Sequence, residues 1–165
     1  FNRRYLNETL ERELSRGKRL GATMGIIMMD LDRFKEYNDI YGHEAGDEIL
    51  EALGNLIRWQ TRKEDLPCRY GGEEFLIVMP GAPLETVVER ARELNQQIKQ
   101  LHLQSRHLHP VTISVGVALY PDHGSNGKEI MRAAEAALHR AKADGRDRVV
   151  VVDDDLLGRK QVAMQ

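Results

Sequence analysis

Between Met24 and Leu31 the chain reads Met-Gly-Ile-Ile-Met-Met-Asp-Leu. A run this short and this apolar, on both alternating sets of positions, predicts a central strand buried on both faces. Such a strand requires helices above and below its sheet. It closes in Asp30-Leu31-Asp32. Side chains alternate along a strand, so both aspartates point to one side. Two carboxylates at the end of a buried strand are costly unless they are paired or hold a cation. As a bland alternative, an aspartate here caps the following helix.

The flanking periodicities fill in the layers. Tyr5, Leu6, Leu10 and Leu14 make an amphipathic helix over Phe1 to Lys18, bracketed by Gly17 and Gly21. Arg33 to Tyr41 predicts a short helix closed by Gly42, then a polar connection His43 to Asp47, then a longer helix from Glu48. Leu66 to Tyr70 and Phe75 to Met79 are strands. The clearest helical stripe runs from Leu84 to Leu101. Val111 to Leu119 alternates bulky residues with Thr112, Ser114, Gly116 and Ala118, so one strand face is small enough for a close helix or a ligand. Ile130 to Ala141 is a last helix ended by Gly145, and Val149 to Val152 a last strand. Hairpin and crossover connections together predict an α/β (α+β) domain, a mixed central sheet flanked by helices. One domain over 1–152 is expected, with 153–165 as a tail or linker; no internal repeat is visible.

Bulk properties narrow the function. A net charge of −2 argues against a nucleic-acid surface. The single Cys68 fits a reducing compartment, and no apolar run is long enough to span a membrane. The expected location is cytoplasmic, with a membrane anchor allowed elsewhere in a longer protein. The abrupt start at Phe1-Asn2-Arg3-Arg4 suggests a piece of such a protein. His102, His107 and His109 lie in a polar loop and read as surface residues.

Arg69-Tyr70-Gly71-Gly72-Glu73-Glu74-Phe75 then predicts a tight hairpin with a two-residue Gly-Gly loop, the glycines supplying positive φ and close backbone approach. Glu73 and Glu74 stand at its mouth, within reach of a metal or phosphate. Alone, this is equally a hairpin with solvated glutamates.

In company it is more specific. Gly71-Gly72-Glu73-Glu74-Phe75 resembles the signature of the GGDEF family, the diguanylate cyclases. Asp30-Leu31-Asp32-Arg33-Phe34-Lys35 through Asn38-Asp39, Gly42-His43 through Gly46-Asp47, Ser114 through Ala118, and Ala141-Lys142 through Gly145-Arg146 resemble its other motifs in order. Asn2-Arg3-Arg4-Tyr5 is similar to the end of its opening signature. The resemblance implies a palm-like nucleotide cyclase fold and the joining of two GTP into cyclic di-GMP with release of two pyrophosphates, across a homodimer. An N-terminal sensory or regulatory domain is implied as partner in the full-length protein, and no nucleic acid or membrane contact by this domain.

The resemblance also assigns roles. Asp30, the Leu31 carbonyl and Glu73 would bind Mg²⁺ or Mn²⁺, the hard cations that oxygen ligands and phosphates share. Glu73, or Glu74, would be the general base, and Lys35 would stabilise the phosphate in the transition state. Asn38 and Asp47 would read guanine, with Phe34, His43, Gly71 and Gly72 beside the substrate; helix capping is the plain alternative for Asn38 and Asp47. Lys142 and Arg146 would contact terminal phosphates, although positive charge near a helix C-terminus explains Lys142 equally. Arg62 and Asp65 resemble the family's R-x-x-D inhibitory product site, with Arg90 or Arg92 as its second arginine; a solvated charge run is the alternative. His139 and Asp147 depart from the family's common tyrosine and asparagine without touching an expected ligand, so an active domain is expected. The rival function is a degenerate module that senses cyclic di-GMP or GTP without turnover.

Overall fold

The structure is a computed structural model that describes residues 2–158. Helix α1 (Arg3–Leu20) leads into β1 (Met24–Leu31), α2 (Phe34–Tyr41) and α3 (His43–Gln60). The hairpin β2 (Leu66–Arg69) and β3 (Glu74–Pro80) follows, then α4 (Leu84–Ile98), β4 (Ile113–Tyr120), α5 (Gly127–Ala143) and β5 (Arg148–Val151). The sheet order is β2-β3-β1-β4-β5. β1 runs antiparallel to both neighbours, and β4 and β5 are parallel, so the sheet is mixed as expected.

β1 lies at the centre with every residue buried. Its alternation divides the core. Ile27, Met29 and Leu31 join Phe75, Ile77, Val115 and Val117 under α2, α3 and α4. Met24, Ile26 and Met28 join Leu76, Val78 and Ala118 under α1 and α5. Each fully buried Ile, Leu or Met side chain contributes about 1.5–3 kcal/mol relative to exposure, which makes the register of β1 the strongest constraint on the fold.

The small face of β4 receives a helix. A Cβ at Gly116 would overlap the Ala134 carbonyl and the Leu138 amide of α5. Three of the four ends of α1 and α5 carry ordinary caps: Asn2 and Asn126 side chains accept from Tyr5 and Glu129 amides at 2.9 Å, and Gly21 closes α1 in a left-handed conformation.

Several sequence expectations shift. The polar stretch His43 to Asp47 is not a connection but the first turn of α3, because Gly42 alone (φ 92°) makes the joint with α2. Neither Asp30 nor Asp32 caps α2; the cap position is Arg33, at φ 53°, with no side-chain cap bond. His109 is half-buried, stacked on Tyr41 with ring centroids 3.7 Å apart, and His102 is half-buried too; His107 alone of the three is exposed. Leu156 and Leu157 pack against the α1/α5 core, so packing extends past Val152. Phe1 and the rest of the expected tail, 159–165, lie outside the described residues. Among the described residues no helix is long and apolar enough to cross a membrane.

Gly116→Ala should lower unfolding stability by about 1–3 kcal/mol or more, since the added methyl meets helix backbone rather than a movable side chain. The shift in the urea midpoint checks this; an unchanged midpoint would show that α5 can stand off the sheet at no cost.

Candidate active site

The end of β1 brings three segments together. Asp30 lies opposite Glu74 of β3 on one side and Ser114 of β4 on the other. The Leu31 amide donates to the Glu73 carbonyl at 3.3 Å, tying the hairpin turn to β1. The turn is longer than the sequence suggested. Tyr70 and Gly71 amides both donate to the Glu74 carbonyl, at 2.8 and 3.2 Å, so Gly71, Gly72 and Glu73 form a three-residue loop. Arg69 clamps it, donating from Nε and Nη2 to the Gly72 carbonyl at 3.2 and 2.6 Å. Neither glycine is at positive φ. Their value is space: a Cβ on Gly71 would stand 2.9 Å from Glu74 Oε2, and Gly72 leaves bare backbone facing open space.

Asp30, near the end of β1, and Asp32, just past the strand, both lie beside Ser114 of β4 but have different fates. Asp32 accepts from Thr112 Oγ1 and Ser114 Oγ, both at 2.6 Å, and from the Asp147 amide at 3.0 Å. It is a structural acceptor with both oxygens engaged. Asp30 is 4% exposed; its Oδ2 accepts from Lys142 Nζ of α5, and its Oδ1 is buried with no partner. Burial pushes the Asp30 carboxyl up to about 6, against the hydrogen bond and charge of Lys142, and the nearby Glu73 and Glu74 charges raise it further. An orphaned buried carboxylate oxygen, with the Glu73 and Glu74 carboxylates nearby, suits a hard cation with oxygen ligands. Among the described residues no three Asp, Glu, His or Cys side chains form a metal group by themselves. The side chains here therefore do not make a complete metal site by themselves. Lys142, expected at terminal phosphates, rests on this carboxylate instead.

The second cluster sits where α2 meets α3. A Cβ on Gly46 would overlap Asn38 Oδ1 and approach Phe34 Cζ to 3.2 Å. Gly46 thus lets Asn38 and half-buried Phe34 press against the turn that carries Asp47. Asn38 Oδ1 is buried without a partner, whereas Asp47 is exposed and lines a cavity of about 580 Å³ with Gly54, Arg58, Arg69 and Phe75. His43, one turn earlier, and Lys35, in the first turn of α2, are both exposed.

The remaining residues lie apart. Arg146 is exposed beyond the end of α5 and lines a different cavity, about 590 Å³, with Arg33 and Lys99. Arg62 and Asp65 stand just before β2. Asp65 Oδ2 accepts from the Arg62 amide at 2.8 Å, and the Asp65 side chain is fully buried. Arg90 is half-buried beside Glu93, at 3.7 Å, with Nη1 buried and unpartnered; Arg92 is exposed on α4. The sequence reading missed the role of Asp32 as an anchor and missed Asn95, a polar residue within the apolar stripe of α4. That interruption of the stripe was its available signal.

A mixed sheet of this order, with a carboxylate pair at the end of its central strand, defines the palm-like fold. Comparison with known proteins makes this specific. The family model described as diguanylate cyclase, GGDEF domain, matches residues 1–148, and the chain belongs to that family. The chain is 34% identical over 152 residues to the response regulator PleD of Caulobacter vibrioides, covering 90% of this chain and 34% of that protein. It is 36% identical over 150 residues to the diguanylate cyclase DgcM of Escherichia coli, covering 91% of this chain and 36% of that protein. It thus spans about a third of the length of these relatives. Among solved structures, the active GGEEF domain of a diguanylate cyclase from Vibrio cholerae superposes with a TM-score of 0.86 at 31% identity, covering 92% of this chain and 97% of that one. The GGDEF domain of DgcB from Caulobacter crescentus, in complex with c-di-GMP, gives 0.85 at 29% identity, covering 92% and 90%.

The state of Asp30 has a stability consequence. A carboxyl whose folded pKa is raised holds its proton more tightly folded than unfolded, so the protein loses stability as pH rises from near 4 through about 6. In the metal-free protein, Asp30→Asn should raise stability at pH 7.5 by ~1–2 kcal/mol, with the gap closing towards pH 4. Urea titrations at the two pH values check this; equal midpoints at pH 7.5 would mean that the carboxylate is not under strain.

Proposed function

We propose that this domain condenses two GTP into cyclic di-GMP, releasing two pyrophosphates. The observation that carries the reading is Asp30: a buried carboxylate with one free oxygen, facing the Glu73–Glu74 turn, in a chain of the diguanylate cyclase family. Asp30, the Leu31 carbonyl and Glu73 are the residues that would hold Mg²⁺ or Mn²⁺. When bound, such a cation acidifies the attacking 3′-hydroxyl and offsets charge growing on the α-phosphate.

The chain's own groups supply the rest. Glu73, or Glu74 beside it, takes the proton from the 3′-hydroxyl. As that oxygen bonds to the α-phosphorus of the second GTP, the bond to pyrophosphate breaks. Lys35, Lys142 and Arg146 supply positive charge to the phosphates; Lys142, which now rests on Asp30, would have to leave that carboxylate to do so. Asn38 and Asp47 read guanine: aspartate accepts from guanine N1–H and N2–H₂, donors that adenine lacks in those places. Asn38 Oδ1 is buried against Gly46 without a partner, so accepting from guanine requires the Asn38 side chain to turn out of that contact.

One domain holds one GTP, so the reaction requires two copies facing each other about a two-fold axis. Cyclic di-GMP returns as an inhibitor at Arg62 and Asp65, with Arg90 or Arg92. For Asp65 this requires its carboxylate to swing out of the turn that now buries it. GTP and magnesium place the reaction in the cytoplasm, under a regulatory domain elsewhere in the full-length protein.

Incubation of concentrated protein with GTP and Mg²⁺, read by mass spectrometry, is the primary test. Glu73→Gln should lower cyclic di-GMP formation by about 10²-fold or more while the fold persists; full activity would remove Glu73 from the site. If an enforced dimer of the wild type makes no product yet binds cyclic di-GMP tightly, the domain is a sensor instead. Arg62→Ala should raise the cyclic di-GMP concentration needed for half-inhibition by about tenfold, the loss of one bidentate contact. Unchanged inhibition would separate Arg62 from the brake.

A further inference from the structure

Asn95 is 6% exposed on the inner face of α4. Its Nδ2 donates to the Ile113 carbonyl at 3.1 Å and to Asp147 Oδ1 at 3.2 Å. Lys99, just past the last turn of α4, pairs with the same oxygen at 2.9 Å. The Asp147 amide donates to the buried Asp32 Oδ2 at 3.0 Å. One residue is thus held by α4 through its carboxylate and by the β1–α2 link through its backbone.

What this grip maintains is an unusual turn. Gly145 (φ 120°), Arg146 (φ 63°) and Asp147 (φ 45°) are successive residues at positive φ. L-residues with side chains disfavour this region, and two in a row persist only where the surroundings over-determine them. Arg146 also donates its amide to the Ala141 carbonyl at 3.0 Å. Its backbone angles set the direction in which its side chain leaves the chain. Lys142 needs no such support, because it sits on α5 itself.

We propose that Asn95 and Lys99 are positioning residues for Arg146: through Asp147 they hold the Arg146 turn in its left-handed form, so that its guanidinium meets the terminal phosphates of bound GTP. This rests on the cyclase reading of the site. Asp147 stands where the family commonly carries asparagine, and its charge makes the ion pair with Lys99 possible.

The test uses the wild-type protein, Lys99→Met, Arg146→Ala, the double variant and Lys99→Arg. GTP affinity is measured by calorimetry, and amide hydrogen exchange is followed at Arg146 and Asp147. Lys99→Met should speed exchange at these two amides and weaken GTP about three- to tenfold, as expected for a partly exposed ion pair acting through a neighbour. In the Arg146→Ala background the same change should have no further effect, and Lys99→Arg should restore wild-type affinity. Unaltered exchange, or effects of Lys99→Met and Arg146→Ala that simply add, would overturn the clamp while leaving the cyclase reading intact. Failure of the wild type to bind GTP would overturn that reading and the clamp with it.

Discussion

The structure depends on how two carboxylates are tolerated at the end of a strand buried on both faces. Isolated charges in such a place cost several kcal/mol each. Asp32 meets the cost by engaging both oxygens with two hydroxyls and a backbone amide. Asp30 meets it only in part, through Lys142, and keeps one buried oxygen free. The first ties β1 to β4 and to the turn after α5, and so fixes the frame. The second leaves the frame with an unmet demand for positive charge, which is the property a cation site needs.

Close backbone approach is the device that shapes the pockets around these groups. Gly116 lets α5 lie on the sheet near enough for Lys142 to reach Asp30. Gly46 lets α3 meet Asn38, and so seats a guanine-reading candidate beside the turn that carries Asp47. Gly71 leaves room for the Glu74 carboxylate. Each missing side chain brings two polar groups nearer than an alanine would allow. The raised Asp30 pKa and the left-handed Arg146 turn show where the fold holds groups in states they would not choose in isolation, at the expense of stability.

Helix α4 links regions that sequence order keeps apart. Its inner face carries Asn95 to the Arg146 turn and its end brings Lys99 there, while Arg90 and Arg92 lie nearer its start. The same helix therefore carries residues expected at a product site and a residue that grips the turn after α5.

The sequence by itself determined the layers. The doubly apolar β1, the stripe of α4 and the bulky/small alternation of β4 each permit one burial pattern, because a one-residue slip would turn a whole face to water. The motifs determined the family, and Asp30, Glu73, Glu74 and Lys142 do meet at one strand end. Local polarity misled at His43 to Asp47, since a helix's first turn is naturally polar and Gly42 alone makes the joint. It also misled at the glycine turn, where loop length follows from backbone hydrogen bonds that no composition records. Only the tertiary structure decided that Asp32 is an anchor and that Asp30 keeps one oxygen without a partner. The two are chemically identical, and what separates them is which donors β4 and α5 bring within reach.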